Sequence, residues 1–193
     1  MRHYLPRLNL VAALAALTLF IGYSGASLAA SAEEQRSEIR KMRQQTLAHL
    51  YKVHPAAKAH IQKAAGYAVF SNVGINLIFL SAAGGSGVAH DNKTGRDVFM
   101  KMVSGGVGIG LGVKDFRGVF VFSNPDGLKT FINSGWEASA QADAAAKAGE
   151  KGGAAAGAIT VASGVDLYQL TENGLALQAT IQGTKYYKNG DLN

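Results

Sequence analysis

Apolar and polar positions change their spacing twice along this chain. From Ser31 to Val53 a stripe recurs every three or four residues at Ile39, Met42, Thr46, Leu50 and Val53, which predicts an amphipathic helix. Opposite it lie Arg36, Arg40, Lys41 and Arg43. Pro55 interrupts the helix and can open a second short one over 56–65, which carries Lys58 and Lys63. From Gly66 the period falls to that of strands. Tyr67-Ala68-Val69-Phe70, Leu77-Ile78-Phe79-Leu80, Val98-Phe99-Met100 and Val119-Phe120-Val121-Phe122 are short apolar runs separated by Gly, Asn, Asp and Ser, as in an antiparallel sheet.

Between the strands, Gly106 to Val113 alternates glycine with an aliphatic residue. A strand with one bare face is weak by itself, so something must approach that face closely or the sheet must bend there. Asn124-Pro125-Asp126 has the capping side chain, first-turn proline and acid of a helix start, and Gly135 can end that helix. The alanine-rich stretch from Glu137 to Lys147 is expected to be helical, with Asp143 and Lys147 at four-residue spacing. Val165 to Ile181 forms two alternating runs about Asn173-Gly174, a hairpin signature. The expected fold is α+β: amino-terminal helices packed on a glycine-rich, mostly antiparallel sheet or partly closed barrel, with a helical excursion at about 125–148.

The first thirty residues add a location. Arg2 and Arg7, the uncharged stretch Leu8 to Ile21 and the small residues 24–30 follow the order of a secretory signal peptide. Its apolar core is shorter than the ~20 residues that cross a ~30 Å bilayer. Cleavage is expected after Ala29, with the junction after Ala32 as second choice. Residues 1–29 are thus read as the leader, 30–65 as the helical segment and 66–193 as the glycine-rich part of a single globular unit. If cleavage leaves Ser31 in place, Ser31 and Glu34 form a capping box.

The chain has no cysteine, which excludes disulfides, thiolate metal sites and the acylated amino terminus of a lipoprotein. The expectation is a periplasmic or secreted protein, peripheral to a membrane. Beyond the leader, 17 basic and 13 acidic side chains leave a charge of +4. That favours anionic surfaces but is too dispersed for nucleic acid.

No motif points to catalysis. Gly84-Gly85-Ser86-Gly87 and the run 105–112 lack the Gly-Lys-Ser/Thr ending of a phosphate loop and the strand-to-helix setting of a dinucleotide fingerprint. His49, His54, His60 and His90 do not have zinc spacing and read as surface or interface residues. Asp91, Asp97, Asp115 and Asp126 fall in or near turns, where they cap or solubilise. Ser86 and Ser104 lack a nucleophile elbow. No enzyme activity, metal or cofactor is expected.

Taken together, Ala65 to Gly74, Gly84 to Val88, Gly105 to Val113, Asp115 to Phe122 and Gly174 to Thr184 resemble the SYLF-domain family of lipid-binding proteins, over roughly 46–187. The resemblance implies a non-enzymatic module that binds membrane lipid, phosphoinositides in eukaryotic members, through a basic surface and an amino-terminal amphipathic helix. It makes the helix before Gly66 and the loop edges near Lys93, Arg96, Lys101 and Lys114 the candidate headgroup contacts. Bacterial members are typically exported, often as lipoproteins, and here the missing cysteine departs from that pattern. Actin binding, known in some eukaryotic members, is not carried over. The leading expectation is an exported module that engages anionic phospholipid. The alternative is an envelope structural or assembly protein that packs its glycine-faced sheet against another protein.

Overall fold

The computed structural model describes residues 10–72, 84–104, 117–137, 157–171, 174–176 and 183–193, apart from the side chains of residues 10–30, 104, 171 and 176. The elements are α1 (Leu10–Val53), α2 (Ala56–Lys63), β1 (Gly66–Ser71), β2 (Gly84–Asp91), β3 (Asp97–Ser104), β4 (Arg117–Phe122), α3 (Pro125–Ser134), β5 (Trp136–Glu137), β6 (Ile159–Ala162), β7 (Val165–Thr171), β8 (Gly174–Ala176) and β9 (Thr184–Lys188), then a 3-10 turn, Gly190–Leu192. The strands form one curled, partly closed sheet in the order β5-β9-β3-β2-β1-β4-β7-β6, and β8 also pairs with β7. Every described pairing is antiparallel. The protein is therefore α+β, with helices packed on a partly closed sheet.

Period-two alternation gives the sheet two apolar faces. Tyr67, Val69, Val88, Phe99, Val119, Val121, Tyr168 and Leu170 point to one side, where they share a core with Ile39, Met42 and Leu50 of α1 and Ala57 and Ile61 of α2. Ala68, Phe70, Ala89, Met100, Met102, Phe120, Phe122, Leu167 and Tyr186 point to the other, where Leu128 and Phe131 of α3 and the Trp136 ring cover them. On this second side Tyr186 lies 4.8 Å from Phe70 and 5.0 Å from Phe120, centroid to centroid, the range of favourable edge-to-face aromatic pairs.

The glycines of β2 serve this aromatic side. Gly85 and Gly87 alternate with Ser86 and Val88, and a Cβ on Gly87 would run into the Phe70 ring and come within 2.5 Å of the Val69 carbonyl. At Gly85 the occupants are the Met102 side chain and the Ser71 carbonyl, 2.6 Å away. A bare strand face thus receives large side chains from both neighbouring strands. The alternating run 106–113, for which the same logic was expected, lies outside the described residues, as do the expected strand 77–80 and the pair Asp143 and Lys147.

Several expectations change. The first helix runs back without a break to Leu10, so in the full chain Ser31 is an interior helical residue rather than a cap. Ile39, Met42, Thr46 and Leu50 of the stripe are buried, but Val53 is exposed because the helix ends there. The second helix closes at Lys63, where Ala64 turns to extended backbone. The third forms as the residues dictate: Asn124 Oδ1 accepts the Gly127 amide at 2.7 Å, and Gly135, at φ 71°, turns the chain out. The helical excursion does not continue directly past it. Trp136-Glu137 pairs with Tyr186 and Lys185 of β9, because the indole packs into the aromatic cluster. The rest of the alanine-rich stretch lies outside the described residues. In the expected hairpin, β7 and β8 meet with Thr171 opposite Gly174.

Candidate functional site

The basic side chains of α1 divide. Arg43 donates from Nη1 to Asp97 Oδ1 at 2.6 Å, and both side chains are largely covered, 15% and 19% exposed. Arg36 donates from Nε to the Leu192 carbonyl at 2.9 Å and from Nη1 to Glu33 at 3.1 Å. Arg40 reaches Glu33 at 3.1 Å and holds its guanidinium carbon 5.3 Å from the Phe99 ring centroid. Hydrogen bonds from Arg36 and then Arg40 hold the Glu33 carboxyl below its ordinary range. The expected solvent-facing arginine row is therefore corrected. Arg36 and Arg43 fasten α1 to the carboxy-terminal turn and to β3, and Arg40 leans on the same sheet edge. Lys41 alone of the four is exposed and has no carboxylate partner among the described residues.

Two Asp–His contacts lie where the helices meet the sheet. Asp97 Oδ1 also takes His90 Nδ1 at 2.6 Å, so this aspartate bridges α1, β2 and β3 instead of decorating a turn. On the other flank, His60 of α2 meets Tyr168 Oη at 2.8 Å through Nδ1 and Asp166 at 3.4 Å through Nε2. Thr160 donates to the same Asp166 at 2.7 Å. His60 and His90 thus lie where the helices meet the sheet, each bound to an aspartate. His54 packs its ring 5.8 Å from that of Tyr168. Burial pushes the hydroxyls of Tyr168 and Tyr67 above their ordinary pKa.

Of the remaining candidate cations, Lys58 lies near the start of α2 and Lys63 at its end. Asn92, in the turn between β2 and β3, donates its amide to the carbonyls of Ile61 at 2.7 Å and Ala64 at 3.0 Å, and its backbone N–H to Ala65 at 3.1 Å. That fork satisfies the open carbonyls of the helix end. It also clamps the turn against α2 and brings Lys93 and Arg96 to the end that carries Lys63. The turn is rigid for local reasons: Asp91 Oδ1 accepts the amides of Lys93 at 2.8 Å and Thr94 at 3.0 Å, and Gly95 supplies the positive φ. Those amides, that of Thr94 most, hold the Asp91 carboxyl below its usual range. Lys58, Lys63, Lys93 and Arg96 are all exposed, and none has a carboxylate within ion-pair reach among the described residues. Lys101 differs, being tied to Asp191 at 2.9 Å, and Lys114 lies outside the described residues.

Asn92 has no role in the sequence reading, and Asp97 has only that of a turn residue. The signal for Asn92 is its place in Asp91-Asn92-Lys93-Thr94-Gly95, a turn whose spare amide must bond to something. The partner of Asp97 gives no local signal, since Arg43 stands 54 residues away.

Chemically, the site offers exposed ammonium and guanidinium donors. Among the described residues no three His, Asp or Glu side chains gather at metal-binding distance, and no helix is long and apolar enough to cross a membrane.

Searched against models of known families, the chain matches none. It is similar to Beta cell expansion factor A of Aeromonas veronii, with 35% identity over 162 residues, covering 84% of this chain and 60% of that protein. The chain therefore spans about three fifths of the length of this curated relative.

Proposed function

We propose that the chain is an exported, non-catalytic lipid-binding protein of the SYLF type that engages anionic phospholipid headgroups reversibly from the periplasmic or extracellular side. The carrying observation is four exposed cations with no carboxylate in ion-pair reach among the described residues: Lys58 and Lys63 on α2, and Lys93 and Arg96 on the turn that the Asn92 fork clamps to the end of that helix. Exposed cations that no carboxylate pairs among the described residues attract an anionic surface, each contributing on the order of 1 kcal/mol. The glycine-rich segments that resemble the SYLF family supply the fold expectation, and the leader supplies the export. In this reading the arginines of α1 are mainly structural and the headgroup contacts move to α2 and the β2–β3 turn.

Co-sedimentation with vesicles containing phosphatidylglycerol tests the reading. Binding should fall with salt and disappear when these four cations are reversed to glutamate. Export is tested separately by sequencing the amino terminus of protein recovered from the cell envelope, which should begin at Ala30 or, as second choice, at Glu33. The envelope-assembly alternative rests on glycine-faced strands, of which the run 106–113 lies outside the described residues; on β2 the glycine face is filled by the chain's own Phe70 and Met102.

A further inference from the structure

The corner between α1 and α2 combines features that the cationic surface alone does not explain. From Ile39 to His90 the sequence has no aspartate or glutamate. Within that stretch Val53 is 39% exposed, one of three large hydrophobic residues exposed among the described residues, and Pro55, Ala56 and Ala59 are exposed beside it. Lys52 and Lys58 flank them in the sequence, both exposed. The carboxylate beside α2, Asp166, is on the sheet side, engaged by Thr160 and His60. Leu50, fully buried three residues before Val53, anchors the corner to the core.

Three backbone hydrogen bonds hold this corner: the His54 amide bonds to Leu50 O at 2.7 Å, that of Ala57 to His54 O at 3.1 Å and that of Lys58 to Pro55 O at 3.2 Å, while Pro55 has no N–H to satisfy. A small apolar tip flanked by lysines matches the boundary between headgroups and acyl chains: the tip enters the apolar layer and the ammonium groups stay at phosphate depth.

The geometry points to the α1–α2 corner as a membrane-inserting tip, in which Val53, Pro55 and Ala56 enter the headgroup–acyl boundary of an anionic bilayer while Lys52 and Lys58 hold lipid phosphates. This rests on the lipid-binding reading and adds depth to it, since a purely electrostatic contact would leave Val53 in water.

The chain has no cysteine, so Val53→Cys gives a unique attachment point for an environment-sensitive nitrobenzoxadiazole probe. Lys129→Cys, on the exposed side of α3 across the sheet, is the control. Protein recovered after expression of the full chain is mixed with vesicles of equal parts phosphatidylglycerol and phosphatidylcholine. The probe at residue 53 is expected to brighten several-fold, shift to the blue and be quenched by nitroxides on the acyl chains, while the probe at 129 stays unchanged. Val53→Asp, at a position exposed enough to leave the fold intact, should weaken co-sedimentation at least tenfold. Co-sedimentation with an unshifted probe at residue 53, or undiminished binding by Val53→Asp, overturns the insertion and leaves the electrostatic reading standing. Failure of the parent protein to co-sediment at all removes both.

Discussion

Arg43 on α1 and Asp97 at the start of β3 stand 2.6 Å apart, Nη1 to Oδ1, in a contact only 15% and 19% exposed. A residue on the polar side of an amphipathic helix is thereby turned into a fastening between the helix layer and the sheet. Because Asp97 also accepts His90, its loss would leave two donors without their acceptor.

Asp97→Ala is therefore expected to cost about 1–3 kcal/mol, the penalty for partly buried groups that lose a charged partner. Arg40→Ala removes exposed contacts and should cost less than about 1 kcal/mol. Urea denaturation of the two variants measures the difference. Equal midpoints would show that the Arg43 contact does not secure α1.

Gly87→Val should abolish cooperative folding or lower the melting temperature sharply, because its Cβ would collide with the Phe70 ring and press on the Val69 carbonyl at 2.5 Å. Overpacking of this kind costs about 1–3 kcal/mol or more, and here backbone has to move. Gly95→Ala is the contrast. It has open space but φ 71°, so its cost is the ~1 kcal/mol of a left-handed backbone. Thermal melts followed by circular dichroism rank the two.

Burial in the aromatic cluster pushes the Tyr186 hydroxyl pKa far above its ordinary value of 10.0. A pKa raised on folding favours the protonated form in the folded state. The stabilisation is complete below pH 10 and is lost as pH rises beyond it. Tyr186 should thus ionise only as the chain unfolds, visible as tyrosinate absorbance appearing together with loss of near-ultraviolet dichroism. Its hydroxyl is buried with no partner among the described residues, so Tyr186→Phe should melt at or above the parent temperature and unfold at higher pH. A destabilised Tyr186→Phe would mean that the hydroxyl has a partner.

The residues disclosed the fold where one rule governed a segment. Apolar runs marked β1, β3 and β4, the stripe Ile39 to Leu50 marked the buried face of α1, and Asn124-Pro125 marked the start of α3. They were silent where a segment takes its form from a neighbour. The glycines of β2 make sense only once Phe70 and Met102 are seen against them, and Trp136 leaves the helical pattern because Tyr186 is 5.9 Å away. The candidate site divided in the same way. Lys58, Lys63, Lys93 and Arg96 were recognisable as basic residues near the helix and loop edges. That Arg36 and Arg43 are consumed by Leu192 and Asp97 was not, because these partners lie 156 and 54 residues distant and no local spacing records them.

Vesicle co-sedimentation across charge variants tests the central claim most directly. Lys58, Lys63, Lys93 and Arg96 reversed together to glutamate should bind phosphatidylglycerol vesicles about a thousandfold more weakly, from roughly 1 kcal/mol per cation, while melting like the parent. Binding by the parent should weaken as the screening length shrinks from ~10 Å at 0.1 M salt to ~3 Å at 1 M. A folded quadruple variant that binds as tightly as the parent, or parent binding that is equal on neutral and anionic vesicles, would contradict the account.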